Sequence, residues 1–379
     1  MSAPANVTIP AAVQQLAAAD FSVLVARFAA AGFAVSTPCP GALQILQPGA
    51  SHAPAQGLAG AAQARILLPS GLTDDGGHGQ ERILMPSGAH APNIDLTPSV
   101  LLSVGVHGDE TGPIEVLAHL LDQLTSEPHA LAVNLLVVVG NVDAIAAGKR
   151  FIDADLNRMF KRERGDLAGT AEAARADQMM AATTAFFAGK GPNRWHLDLH
   201  TAIRPSFFPA FAIVPLLIAD APRKRLMDWL GDAGIQALIM NPKSAGTYSY
   251  FTSEQCHAAG STVELGRVGV LGQNDLSQFT AASNALNGLL RNDTNLIPKG
   301  QPAEIFLMAQ EIMKLSNDFK MAFGKDTQNF TALKQGELIA EDGETRYVVQ
   351  HAQEFVVFPN PNVRVGQRAG LMVVKQGAE

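Results

Sequence analysis

The stretch SVGVHGDETGPIEVL, residues 103–117, carries the reading of the fold. It continues an apolar run begun at Val100, stops at His107, passes Gly108 and Glu110, and turns helical at Thr111-Gly112-Pro113. Pro113 suits a first helical turn, where its missing N–H has no partner to lose. Apolar residues then recur at Ile114, Leu117, Ala118, Leu121 and Leu124, the spacing of one helical face. Strand, sharp loop and helix make the unit of an α/β sheet. They set His107 and Glu110 at the carboxyl end of a strand, where such sheets hold their ligands. An imidazole and a carboxylate on that turn can converge on one cation, and two nitrogens with one carboxylate make a catalytic zinc set with its fourth position open. Alone, the pair also reads as a loop histidine beside a solvated glutamate. The metal reading needs a second histidine from elsewhere in the chain.

Outward from this unit, Leu131 to Val139 is a continuous apolar strand of the kind buried on both faces of a parallel sheet, running into Gly140-Asn141-Val142-Asp143. Lys149 to Arg164 then holds six basic and three acidic residues, net +3 in a chain of net charge -7. That segment reads either as a solvated charged loop or as an anion pocket, since arginine grips carboxylates with two parallel hydrogen bonds. A helix is expected over 170–188. The second histidine arrives in Trp195-His196-Leu197-Asp198-Leu199-His200, whose alternation puts His196, Asp198 and His200 on one face of a strand. Three polar residues on one face of a core strand are costly unless used. His200, at the strand end, can supply the third ligand; Asp198 reads as an orienting partner or a plain structural hydrogen bond, and His196 as structural. A helix over 222–233 and a strand over 237–240 follow. Ser261-Thr-Val-Glu264-Leu-Gly266 is a strand with one acid in an apolar setting, either a paired core charge or a base with raised pKa. Asn274 or Asp275 caps a helix through Leu290.

The chain has 379 residues, 47% hydrophobic and 17% charged, enough for a large core in one big domain with a small one, or in two of moderate size. Its acidic balance argues against a nucleic-acid partner. Cys39 and Cys256, far apart, suggest neither a disulfide scaffold nor a cysteine metal site, so a reducing, cytoplasmic setting is expected. No apolar run is long enough to cross a membrane, and no signal peptide is read. Residues 11–32 read as one Ala-rich helix ending at Gly32. The near-repeat of Arg65–Gly71 at Arg82–Gly88 reads as two similar short strands, and His52, His78 and His90 as surface residues. Beyond Leu296 the prolines 298 and 302 mark a linker. The strand-like runs at 347–349, 355–358 and 370–374 then suggest a small β-rich domain, with helix formers at 303–315 speaking locally against it.

Taken in order, HGDE at 107–110, GKRFIDADLNRMF at 148–160, RWHLDLHTAIR at 194–204, ELG at 264–266, GQNDL at 272–276, and FPNP followed by RAGLM at 368–372 resemble the succinylglutamate desuccinylase and aspartoacylase family, a branch of the zinc carboxypeptidase superfamily. The resemblance runs from about residue 93 to the C-terminus. It implies a carboxypeptidase-like α/β/α domain with a mixed sheet over 91–296 and a smaller β-rich domain over 297–379. Residues 1–90 stay outside it, as an extension packed on the catalytic domain. It implies one Zn2+ per chain on His107, Glu110 and His200, with Glu264 as general base and Arg150 steadying the oxyanion. Asn157 and Arg158 would hold a substrate carboxylate. Arg204 and Lys149 are added from their charge and place, as candidates for the succinyl carboxylate. The implied reaction is hydrolysis of N2-succinyl-L-glutamate in arginine catabolism. Two alternatives stay open: a deacylase of another N-acyl amino acid, and a zinc-bearing binding protein without catalysis. Glu264 speaks against the last, and the absence of GxSxG removes a serine hydrolase. The oligomeric state is not legible.

Overall fold

The apolar run that leads to His107 forms a strand buried at every residue, Ser99–Val104. In the computed structural model of the chain, residues 9–48, 94–244, 246–324 and 326–377 are described. Helices α1 (Ala11–Ala17) and α2 (Ser22–Ala30) lead into a hairpin of β1 (Ala34–Ser36) and β2 (Ala42–Leu46). Then come β3 (Ser99–Val104), α3 (Gly112–Ser126), β4 (Asn134–Val139), α4 (Val142–Ala146), α5 (Ala171–Phe187) and β5 (Arg194–Ala202). They are followed by β6 (Ala210–Pro215), α6 (Asp220–Asp232), β7 (Ala237–Asn241), α7 (Tyr248–Cys256), β8 (Ala259–Arg267) and α8 (Thr280–Arg291). The C-terminal region carries β9 (Glu304–Met313), β10 (Lys320–Met321), β11 (Thr331–Lys334), β12 (Leu338–Asp342), β13 (Thr345–Val348), β14 (Gln353–Val357) and β15 (Arg368–Lys375).

Twelve strands form one mixed sheet in the order β1-β2-β4-β3-β5-β8-β6-β7-β9-β15-β14-β11, and β10-β12-β13 form a second, smaller one. At its centre β3 pairs in parallel with β4 and β5, and β5 with β8. Side chains alternate across a strand, so β3 feeds two cores at once. Val100, Leu102 and Val104 face α1, α2, α3, α6 and α8, while Leu101 joins the cluster under α5 and α7. The result is the α/β/α sandwich with a β-rich C-terminal part that the sequence implied. The C-terminal strands do not stand apart, because β9 extends the main sheet by pairing in parallel with β7.

Three local readings change. The single helix over 11–32 breaks in two: Asp20 Oδ1 accepts from Ser22 N at 2.9 Å, and Ala19 takes φ 54°, so the chain turns there. The helix formers at 303–315 make strand β9, because pairing with both β7 and β15 outweighs local propensity. Asp275 caps a short 3-10 turn, Leu276–Phe279, and α8 begins only at Thr280. The near-repeat at 65–71 and 82–88, with His52, His78 and His90, lies outside the described residues. Among the described residues no helix is long and apolar enough to cross a membrane.

Candidate metal centre and active site

Three neighbouring parallel strands end side by side. Past Val104, β3 gives way to the loop of His107 and Glu110, β5 carries His200 near its end, and β8 carries Glu264 in register with His200. The first loop is tightly seated. Gly108 N donates to Arg150 O at 3.0 Å, and a Cβ on Gly108 would fall 2.3 Å from the Ala144 carbonyl carbon, so the close approach requires glycine.

His107, Glu110 and His200 meet in this corner, all buried, with one ligand atom from each lying within 4.8 Å of the others. Glu110 is shared between the rings: Oε1 is 2.8 Å from His107 Nδ1 and Oε2 is 2.8 Å from His200 Nδ1. The far nitrogens have carboxylates of their own. His107 Nε2 lies 2.9 Å from Asp155 Oδ1, and His200 Nε2 lies 2.9 Å from Asp198 Oδ2. A carboxylate behind a ligand histidine holds a proton on the nitrogen it touches and turns the other lone pair inward. On each ring the other nitrogen faces a Glu110 oxygen at 2.8 Å, a contact made by a proton on that nitrogen or by a cation shared with the carboxylate. Two imidazole nitrogens and one carboxylate are the donor set of a divalent metal, so the residues fit one.

The two glutamates are poised differently. Burial, and after it the Glu110 carboxylate, push Glu264 up to about 7, and its Oε2 is buried without a hydrogen-bond partner. Burial also acts to raise Glu110, but His107 and His200 outweigh it and hold that carboxyl well below the ordinary range. His196 behaves as the sequence suggested. Burial pushes it down to about 4, and its ring bridges Ser103 Oγ at 2.9 Å and Thr252 Oγ1 at 2.8 Å, as a neutral structural group does.

The basic segment curls over the same corner. Arg150 Nη1 donates to Glu110 Oε1 at 2.7 Å, and Asp109 Oδ1 lies 3.7 Å from the same nitrogen. Asn157 is buried, its Oδ1 accepting from Tyr248 N at 3.0 Å and its Nδ2 lying 3.5 Å from His200 Nε2. Arg158 is half-buried, with Nη1 on Asn157 O at 2.7 Å. Lys149 is exposed. Arg204 points toward the C-terminal part, where Nη1 donates to Gly324 O at 3.1 Å and Thr327 O at 3.2 Å. Two residues, one at the site and one within its electrostatic reach, escaped sequence reasoning. Asp155 hid in a segment notable for positive charge, with nothing to tie it to a histidine 48 residues earlier. Arg368 was seen only as part of a motif. Burial first, then the positive charge of Arg158, push it down to about 10, and its Nη1 donates to Glu311 Oε1 at 3.4 Å.

Residues 96–290 match the succinylglutamate desuccinylase/aspartoacylase catalytic domain, and residues 301–376 the AstE/AspA barrel-sandwich hybrid domain. The chain is 45% identical over 278 residues to the succinylglutamate desuccinylase of Burkholderia lata, covering 73% of this chain and 79% of that protein. It is 44% identical over 280 residues to the enzyme so named in Burkholderia thailandensis, covering 73% and 80%. Among solved structures, succinylglutamate desuccinylase from Vibrio cholerae superposes with a TM-score of 0.70 at 33% identity, over 74% of this chain and 82% of that one. The protein of the same name from Chromobacterium violaceum gives 0.68 at 29%, over 94% and 99%.

Proposed function

The chain belongs to the succinylglutamate desuccinylase/aspartoacylase family, and from that premise we propose that it hydrolyses N2-succinyl-L-glutamate to succinate and L-glutamate, using one Zn2+ held by His107, Glu110 and His200. The observation that carries this reading is the pairing of a buried two-histidine, one-glutamate set with a second glutamate, Glu264, that has an unpaired oxygen and a pKa raised to about 7. Zinc bound there would polarise the amide carbonyl and make water acidic enough to attack near neutral pH.

The remaining work falls to the chain's own side chains. Glu264 accepts the proton of the attacking water and passes it to the departing amine as the C–N bond breaks and the C–O bond forms. Arg150, whose guanidinium already lies against Glu110, donates to the carbonyl oxygen as it gains charge. Asn157 and Arg158 hold a substrate carboxylate. Asp155 and Asp198 keep the histidine rings turned inward. The substrate carries three carboxylates, which accounts for an acidic protein gathering Arg150, Arg158 and Arg368 in one place.

A panel of N-acyl amino acids, run with metal analysis of the purified protein, tests the proposal. Succinylglutamate should be cleaved at least ~10²-fold faster by kcat/KM than acetylglutamate, because a cation built for the far carboxylate is left unpaired without it. Arg204→Ala and Lys149→Ala identify whether either residue reads that carboxylate: the responsible variant narrows the ratio by slowing the succinyl substrate. Preference for N-acetylaspartate would replace the desuccinylase reading with an aspartoacylase one. Absence of hydrolysis in zinc-loaded protein would leave a binding protein.

A further inference from the structure

The segment from Arg150 to Arg158 brings Arg150, Asp155, Asn157 and Arg158 to the site, and its only regular structure is the 3-10 turn Leu156–Arg158. A side chain outside the site holds this segment in shape. Glu172, in the first turn of α5, is 1% exposed. Its Oε1 accepts from Ile152 N at 2.7 Å and Asp153 N at 3.3 Å, and its Oε2 from Asp153 N and Ala154 N, both at 3.2 Å. Asn141 Nδ2 adds a further bond to Oε1 at 3.1 Å.

Three successive backbone N–H groups converging on one anion form a nest, and here the anion is supplied by the protein itself. Among the described residues no cationic side chain pairs with Glu172, and its buried carboxyl oxygens are met by these N–H donors. The tie is reciprocal: Asp153 Oδ2 accepts from Ala171 N at 3.2 Å, while Asn141, which caps α4 after β4, joins the sheet to the clamp. The clamped amides begin two residues after Arg150 and end one residue before Asp155. A shift in them moves both groups.

We propose that Glu172 is a positioning residue for the reaction, fixing the loop so that Arg150 and Arg158 meet the substrate and Asp155 braces His107; this rests on the hydrolase reading above. Glu172→Gln keeps the size of the side chain but turns one oxygen into a donor aimed at N–H groups. It should lower kcat/KM for succinylglutamate by ~10- to 100-fold, the scale of a small misplacement of catalytic groups. The loss should divide between kcat, through Arg150, and KM, through Arg158. Zinc affinity, titrated directly, should fall about tenfold through Asp155, since losing such support costs 10–100-fold. Amide exchange at Ile152, Asp153 and Ala154 should be slow in the wild type and fast in the variant. Glu172→Asp, with charge kept and reach shortened, should fall between.

A purely structural glutamate predicts a lower melting temperature with kcat, KM and zinc affinity unchanged in the folded protein, and that result overturns the proposal. Rapid wild-type exchange at the three amides overturns it even if neither variant folds. If the wild type fails to cleave succinylglutamate, the functional reading falls while exchange and zinc affinity still decide the clamp.

Discussion

Glu110 and Glu264 share one buried corner yet their carboxyls are pushed in opposite directions, Glu110 down and Glu264 up to about 7, and that separation supports the different roles proposed for them. Glu264→Gln keeps the shape and removes proton acceptance, so zinc should stay bound while kcat falls by ~10²-fold or more. Loss of zinc in that variant would make Glu264 structural or a ligand. His200→Ala should instead lose zinc and activity together, and a variant that kept one zinc and full turnover would end the ligand assignment. The arginines separate by the kinetic constant they move. Arg150→Ala should lower kcat by roughly 3 kcal/mol, the scale of a lost oxyanion donor, and Arg158→Ala should chiefly raise KM. Equal effects on KM with kcat untouched would refute the division. At this scale the sequence was informative where residue type and strand position constrain each other. His107, Glu110 and His200 were read as one cation set because each falls where a strand ends, and the structure brings them together. Asp155 was illegible because its role depends on a contact across 48 residues. Arg204 was placed by its closeness in sequence to His200, and its guanidinium also bonds to carbonyls of Gly324 and Thr327, contacts over 120 residues that such closeness does not reveal.

Elements were legible where period and burial agree. The run before His107 and the alternation at 195–200 became β3 and β5 because their apolar faces have one place to go, into the two cores. Helix α7 was missed: its hydroxyl-rich sequence, Tyr248–Cys256, lacks an apolar stripe, and it is held by Thr247 capping Tyr250 N and by Thr183 Oγ1 at 2.5 Å from Tyr248 Oη. Strand β9 was obscured by helix formers for the opposite reason, since its neighbours β7 and β15 are distant in sequence. The alternation of β5 bears on the choice that the sequence left open between an orienting and a plain structural role for Asp198. Asp198 and His200 lie on the same face, with Asp198 Oδ2 2.9 Å from His200 Nε2, so the strand supplies both a proposed ligand and a carboxylate placed to orient it. Asp198→Asn should therefore weaken zinc binding by ~10- to 100-fold while the protein stays folded, because the amide cannot replace the carboxylate behind the imidazole. Direct zinc titration measures this, and an unchanged affinity would return Asp198 to a merely structural bond with Ser103 Oγ, 2.5 Å away.

On the scale of the whole molecule, the sheet divides its labour between its two edges. The carboxyl ends of β3, β5 and β8 hold the site, and the opposite edge is tied by polar groups that never approach it. There Asp95 precedes β3, accepting from Lys190 Nζ at 2.7 Å and Asn134 Nδ2 at 2.7 Å, and Asn134 Oδ1 accepts from Gln47 N at 3.0 Å. One small network thus joins the starts of β3 and β4, the end of β2 and the segment after α5. Burial acts to raise the Asp95 carboxyl, but Lys190, Thr97 and Asn134 outweigh it and bring it down to about 2. A carboxyl whose folded pKa lies below its ordinary value of 3.8 binds fewer protons folded than unfolded. Its contribution is therefore complete above pH ~4 and disappears as the pH falls toward ~2, a loss of about 2 kcal/mol. Lys190→Met removes the main partner and leaves the carboxylate in place, so at neutral pH it should destabilise the fold by roughly 2–3 kcal/mol. The same comparison near pH 2 should show a much smaller gap, since protonated Asp95 no longer needs the lysine. Because the pair sits at the edge away from the site, kcat and KM of the folded variant should match the wild type. Denaturant unfolding at neutral and acid pH checks the first two statements, and steady-state kinetics the third. A stability gap that did not shrink in acid would mean that Lys190 acts through packing of its stem, and altered kinetics would mean that the two edges of the sheet are coupled.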